Sequence, residues 1–244
     1  MAVHYRTNAI IFKKEDRSEA DRAFAVFTYD FGKLDVYAKA IRKINSKLRA
    51  GIDIFYLSEI EFIRGKNNKT LTDAEPIEKN SNIFYDFEKI KIAHQIANVL
   101  EKFIKGQQED KEIWNLLVDT FKKLNSRQSA ANNQKLLYYY FLWNFFSVLG
   151  YHPGVLKCAV CCGKLNPYNI YFSDKEGGII CKKCLETDKE ARKINSDIVK
   201  ILRLILTKDW KIISKLRVDS ASQKLFETVT DSYYSYILPA HSFK

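Results

Sequence analysis

The sequence predicts an α+β chain, with an N-terminal five-stranded barrel followed by an all-helical domain that carries a four-cysteine insertion. Three observations predict it. Short β-branched and aromatic runs fill residues 7–74, apolar residues recur at helical spacing beyond Pro76, and four of the five cysteines form two CxxC pairs. The 244 residues are 46% hydrophobic and 14% aromatic, enough to bury a real core. Forty Lys and Arg against 29 Asp and Glu leave a formal charge of +11. The opening residues hold no apolar stretch of signal-peptide length, which leads to the expectation of a cytoplasmic protein.

The strands come first. TNAIIFK, AFAVFT and KLDVYA are three of them, and the run from Ile52 to Arg64 places Ile54, Tyr56, Ile60 and Phe62 on one face at period two. KTLTDA, after a turn at Gly65 to Asn68, is the fifth. Five short strands in about 75 residues suggest a small barrel, of which the OB-fold is the common five-stranded version.

Beyond Pro76 the period changes. Ile90, Ala93, Ala97, Leu100 and Ile104 form one stripe with Ile92, Ile96, Val99 and Phe103 beside it, and Ile113, Leu116, Leu117, Phe121 and Leu124 form the next, with a break at Gly106. A third helix is expected from about Asn132 to Leu149, and later ones carry Ile198, Ile201, Leu202 and Ile205, then Leu225, Val229, Tyr233 and Tyr236. Residues 136–156 contain no charge and approach membrane-spanning length. Asn144, Ser147 and His152-Pro153-Gly154 interrupt them, so a buried core helix ending near Gly150 is the reading, with no membrane partner.

Cys158-x2-Cys161 and Cys181-x2-Cys184 supply two thiolate pairs, the donor set that structural Zn²⁺ takes in a tetrahedron. Gly163 and Lys164 follow the first pair, and Gly177-Gly178 turns the chain before the second. A doubled pair argues against a redox CxxC, and a cytosolic chain argues against disulfides. Cys162 competes for the second position, but a two-residue gap favours Cys161. No His is followed two residues later by Glu, as a deaminase site requires, so the zinc is expected to be structural.

Between Asp35 and Asp53 lie Lys39, Arg42, Lys43, Lys47 and Arg49 without an intervening acid, directly after the strand holding Tyr37. Such a cluster suits phosphate contacts, with Tyr29, Phe31 and Tyr37 as stacking faces. A second basic run, Lys189 to Arg217, falls on expected helices. The three Gly-Lys pairs lack the rest of a P-loop, and no G-x-S-x-G, H-E-x-x-H or G-x-G-x-x-G occurs. Catalysis is therefore not expected; a zinc-ribbon nucleic-acid enzyme such as a nuclease is the alternative.

The order of these features resembles the RecO family over essentially the full chain. The carrying residues are TNAIIFK, FTYDFGKLDVYAKAIRK, Ser46, Leu48 to Gly51 before IDIFYLSEIEF, and LGYHPGVLKCAVCCGK with EGGIICKKC. The resemblance implies an OB-fold at 1–80, a helical domain at 81–157 and 187–244, and a zinc-finger insertion at 158–186. It implies binding of single- and double-stranded DNA, annealing of complementary strands, and, with RecR, loading of RecA onto DNA coated by single-stranded DNA-binding protein, which would place the chain at the nucleoid. It also places a pocket for the coating protein in the helical domain, for which Arg127 and Lys135 are the candidate residues. The family often has Gly where Ala40 stands, and usually has Gly directly after the second cysteine, where Cys162 stands.

Overall fold

A computed structural model describes residues 3–65, 68–126 and 131–242, the side chains of 131–133 and 239–242 excepted. The chain forms two compact units, residues 1–134 and 135–244. In the first, β1 (His4–Asp16), β2 (Arg22–Thr28), β3 (Gly32–Ala38), β4 (Leu57–Arg64) and β5 (Lys69–Glu78) close into a barrel of order β1-β2-β3-β5-β4. All neighbours are antiparallel except β3 and β5. This is the OB-fold expected from the five runs.

The closing seam is short. Among the described residues β3 and β5 pair at Val36–Lys69 and Tyr37–Thr70 alone. The chain between β3 and β4 runs beside the remainder of β5, where a Cβ on Gly51 would lie 1.7 Å from the Ala74 carbonyl oxygen. Glycine is required there for space, since its φ of −91° suits any residue. Ser58 Oγ donates to the Gly51 carbonyl at 2.7 Å and holds the approach.

The strand expected over Ile52–Arg64 begins only at Leu57. Phe55 adopts φ 65° and is fully buried, with its ring 5.8 Å from Phe121 and 5.0 Å from His94 on the helices that follow. Its N–H still donates to the Ile11 carbonyl at 2.7 Å. A left-handed residue breaks the alternation, and the ring leaves the barrel to reach a second core.

Those helices are α1 (Phe87–Phe103) and α2 (Lys111–Asn125). Asp86 and Asp110 cap them, each accepting two main-chain N–H bonds, an arrangement contributing about 1 kcal/mol apiece. The α2 stripe Ile113, Leu116, Leu117, Phe121 and Leu124 is buried as the periodicity predicts; of the α1 stripe, Ala93, Ala97 and Leu100 are buried but Ile90 and Ile104 only half-buried, the buried face being centred on the neighbouring Ile92, Ile96, Val99 and Phe103. Gly32-Lys33 joins this pair to the barrel. Gly32 has φ 63°, and a Cβ on it would lie 2.0 Å from the Gln108 carbonyl oxygen. Lys33 Nζ donates to the carbonyls of Ile104 at 3.1 Å and Glu101 at 3.4 Å, capping the negative end of α1. Burial lowers its pKa.

The second unit is built on α3 (Ala131–Val148), whose residues Tyr139 to Phe146 are all buried. Trp143 stacks on Tyr233 at 5.3 Å, and its indole N–H donates to Thr230. Thr230 and Tyr233 belong to α6 (Ser220–Ser242); α4 (Ser196–Leu206) and the short α5 (Trp210–Ile213) precede it. Among the described residues no helix is long and apolar enough to cross a membrane. Within the cysteine insertion and after it lie three strands that the sequence reading did not anticipate: β6 (Ile170–Ser173), β7 (Gly178–Cys181) and β8 (Arg192–Ile194), ordered β7-β6-β8. The basic run from Lys189 is therefore strand at Arg192–Ile194, not helix.

The Gly32 geometry gives a test. Gly32→Ala should cost about 3 kcal/mol, roughly 1–2 from a Cβ in the left-handed region and a similar amount from displacing Gln108. Urea unfolding measures it; parental stability would mean that the loop of Gln108 yields without cost.

Candidate metal centre and nucleic-acid interface

The Sγ atoms of Cys158, Cys161, Cys181 and Cys184 all lie within 4.8 Å of one another, and no disulfide joins them. Two knuckles bring them together. Cys158 N–H donates to the Gly163 carbonyl and Cys162 N–H to that of Cys158, folding the first pair into a turn. The second pair follows β7, and Ala159 N–H donating to Ile179 at 2.8 Å ties one knuckle to the other. Gly154 and Gly178 cross so closely that a Cβ on Gly178 would lie 2.7 Å from the Gly154 carbonyl oxygen.

The donor set fits a metal ion. Four sulfurs about 2.3 Å from a tetrahedral centre lie about 3.8 Å apart, and Cys161 and Cys181 are separated by 3.8 Å. Burial pushes the Cys158 thiol up, but main-chain N–H groups of Cys161, Cys181 and Val160 outweigh it and bring it to about 6. Burial and then the neighbouring thiols push Cys184 up to about 12. Crowded thiols resist ionising together, and a cation among them removes that conflict. Cys162, outside the cluster, is exposed and has φ 57°.

Lys39, Arg42, Lys43, Lys47 and Arg49 are all exposed on the chain between β3 and β4. Ile41 and Ile52 are buried in the barrel core and Leu48 packs against it, so these three hold the segment while the bases, and Ile44, face solvent. Two buried isoleucines contribute about 2 kcal/mol each. Asp21, at the start of β2, was invisible as a functional residue in the sequence. Its carboxylate accepts the Ala40 N–H at 2.7 Å and the Tyr37 hydroxyl at 2.5 Å, which hold its pKa below the usual carboxylate range. The Tyr37 ring is half-buried and its hydroxyl is occupied. Ala40, like Cys162, has left-handed backbone, φ 55°. Both residues that the resemblance sets where glycine is common therefore occupy the conformation glycine favours.

Arg42 donates to the Ser18 carbonyl and lies 3.5 Å from Asp16, which Arg22 also engages at 2.7 Å. Arg22, Arg42 and Arg49, with Ile41, Ile52 and Asp53, line a concavity of about 370 Å³. Lys43, Lys47 and Arg49 make no ion pair among the described residues. Of the other aromatics, Tyr29 meets Trp114 edge-on and Phe31 packs on Tyr5 and Phe62. Lys135 is ion-paired with Glu227. Arg127 lies outside the described residues.

Two family models match the chain. Residues 1–80 match Recombination protein O N terminal, and residues 85–244 match Recombination protein O C terminal. A DNA repair protein RecO of Dehalococcoides mccartyi is 32% identical over 215 residues, covering 88% of this chain and 83% of the relative. One from Roseiflexus sp. (strain RS-1) is 29% identical over 234 residues, covering 96% and 81%. One from Desulforamulus reducens is 25% identical over 234 residues, covering 96% and 90%.

The ligand register is open to substitution. Cys181→Ser should abolish most bound metal, measured by elemental analysis, whereas Cys162→Ser should retain it. Cys162→Gly should keep the metal and raise stability by about 0.5–1 kcal/mol by relieving the left-handed backbone. Metal loss in Cys162→Ser with retention in Cys161→Ser would reverse the assignment.

Proposed function

The chain belongs to the recombination protein O family, and from that premise we propose that it binds single- and double-stranded DNA, anneals complementary strands and, with RecR, helps load RecA onto DNA coated by single-stranded DNA-binding protein. A role in DNA repair and recombination follows from the family itself. The observation that carries the finer reading is the loop of five exposed bases, Lys39 to Arg49, held from beneath by Ile41, Leu48 and Ile52.

Physically, annealing requires that two polyanions approach while their base edges stay open. Lysine and arginine contacts to phosphates release counterions and lower mutual repulsion without reading sequence. The loop offers such contacts, and the concavity between Arg42 and Arg49 gives one phosphate a seat against guanidinium groups. None of this requires bond making, so the protein acts without catalysis, at the nucleoid. Zinc on Cys158, Cys161, Cys181 and Cys184 is read as structural: four thiolates leave no open coordination position for a water or substrate.

The test is salt dependence. Each phosphate contact with a single strand contributes roughly −0.7 to the slope of log K against log salt. Replacing Lys43, Lys47 and Arg49 together by Ala should weaken binding to all sequences and flatten that slope by about 2. Fluorescence anisotropy at several salt concentrations reads both, and an unchanged slope would move the DNA surface elsewhere. Annealing by the parent protein should also proceed without ATP; a strict ATP requirement would contradict the reading.

A further inference from the structure

We propose that the cysteine insertion carries a second contact surface for single-stranded nucleic acid, made of Lys157, Lys164, Lys182, Lys183 and Tyr168. The inference rests on the reading of the chain as a DNA-binding protein, and it concerns residues distant in sequence from the barrel loop.

Three observations carry it. Each lysine neighbours the cysteine cluster in sequence: Lys157 precedes Cys158, Lys164 follows the first knuckle, and Lys182-Lys183 lie between Cys181 and Cys184. Because the four sulfurs lie within 4.8 Å of one another, the cluster that shapes the insertion brings together the two knuckles whose main chain carries these lysines, each within three residues of a clustered cysteine. All four are exposed, and none makes an ion pair among the described residues.

The second observation is charge segregation along the β6–β7 hairpin. No acid occurs in residues 157–173 or 177–185. Of the three acids of the insertion, Asp174 and Glu176 lie in the tight turn joining β6 to β7, and Glu186 follows Lys182-Lys183 in the helical turn after β7 without pairing with either among the described residues. The register pairs Ile170 with Cys181 and Ser173 with Gly178, which puts that turn at one end and Lys182-Lys183 at the other.

Third, the same register brings an aromatic ring to the lysine end. Tyr168 and Asn169 enter β6 where Lys182 and Lys183 leave β7. A turn closed by Asn166 holds Tyr168, whose N–H donates to Asn166 Oδ1 at 3.1 Å, and the residue is 85% exposed. An exposed ring beside several cations is the combination that tracks a backbone and stacks an unpaired base. A duplex hides its base faces, which selects a single strand.

Anisotropy with labelled single strands tests this in three variants of the full chain: Lys157, Lys164, Lys182 and Lys183 all to Gln, Tyr168→Ala, and the barrel-loop triple variant. The Gln variant should flatten the salt slope by about 2–3 while keeping its metal, by the same contribution of roughly 0.7 per contact. Tyr168→Ala should weaken binding about tenfold at unchanged slope. If the Gln variant loses its metal, Tyr168→Ala decides alone, since so exposed a ring cannot hold the fold together. Parental slope in the Gln variant and parental affinity in Tyr168→Ala, with the loop variant still impaired, would overturn the insertion surface and leave the barrel loop standing. Parental binding in all three would overturn both. A Gln variant that keeps its DNA slope but no longer binds an acidic peptide would overturn it in favour of a protein partner.

Discussion

Among the described residues the barrel closes through two residue pairs between β3 and β5, and the chain between Lys39 and Tyr56 occupies the ground beside the rest of β5. Much else follows from that incomplete seam. Ile41 and Ile52 must turn inward to complete the core, Leu48 must pack over it, and Gly51 must lie bare against Ala74. Most side chains between these anchors turn outward, and four of them, Arg42, Lys43, Lys47 and Arg49, are Lys or Arg. The display of charge is thus a by-product of closing the sheet.

A second constraint ties the barrel to α1 and α2. Gly32 admits the Gln108 carbonyl where any side chain would collide, Lys33 caps the end of α1, and Lys13 pairs with Glu101 at 2.5 Å. Phe55 crosses from the loop side into the helical core, and Asn80 donates to its carbonyl at 2.7 Å. A Gly-Lys pair that fails every phosphate-loop criterion therefore has a structural role, joining the first two helices to the barrel.

Much of this was legible in the sequence, for local reasons. The cysteine spacing encodes its own geometry, the stripes of α1 and α2 report burial because one residue in three or four must face the core, and the uncharged run of α3 reports a helix buried on all sides. What escaped were features whose partners are distant or whose elements are short. Asp21 reads as a solvated acid at a strand end; only the fold brings Ala40 and Tyr37 to it. Ile52 to Tyr56 alternates like a strand because Phe55 is apolar in either context, and alternation does not say which core a ring will join. The strands β6 and β7 are four residues each and β8 three, too short for period two to stand out beside a cysteine motif. Arg22 joins Arg42 and Arg49 through strand pairing, which no linear spacing reveals.

The anchoring of the basic loop also bears on the thermodynamics of encounter. Fixing a residue's main chain costs about 1–2 kcal/mol of entropy. With Asp21 clamping Ala40, and Ile41, Leu48 and Ile52 seated in the core, that cost is met as the chain folds and not when a ligand arrives. A preordered cationic surface of this kind associates without a coupled folding step, so its rate is governed by diffusion and field rather than by waiting for a competent conformer, and its binding heat capacity stays small.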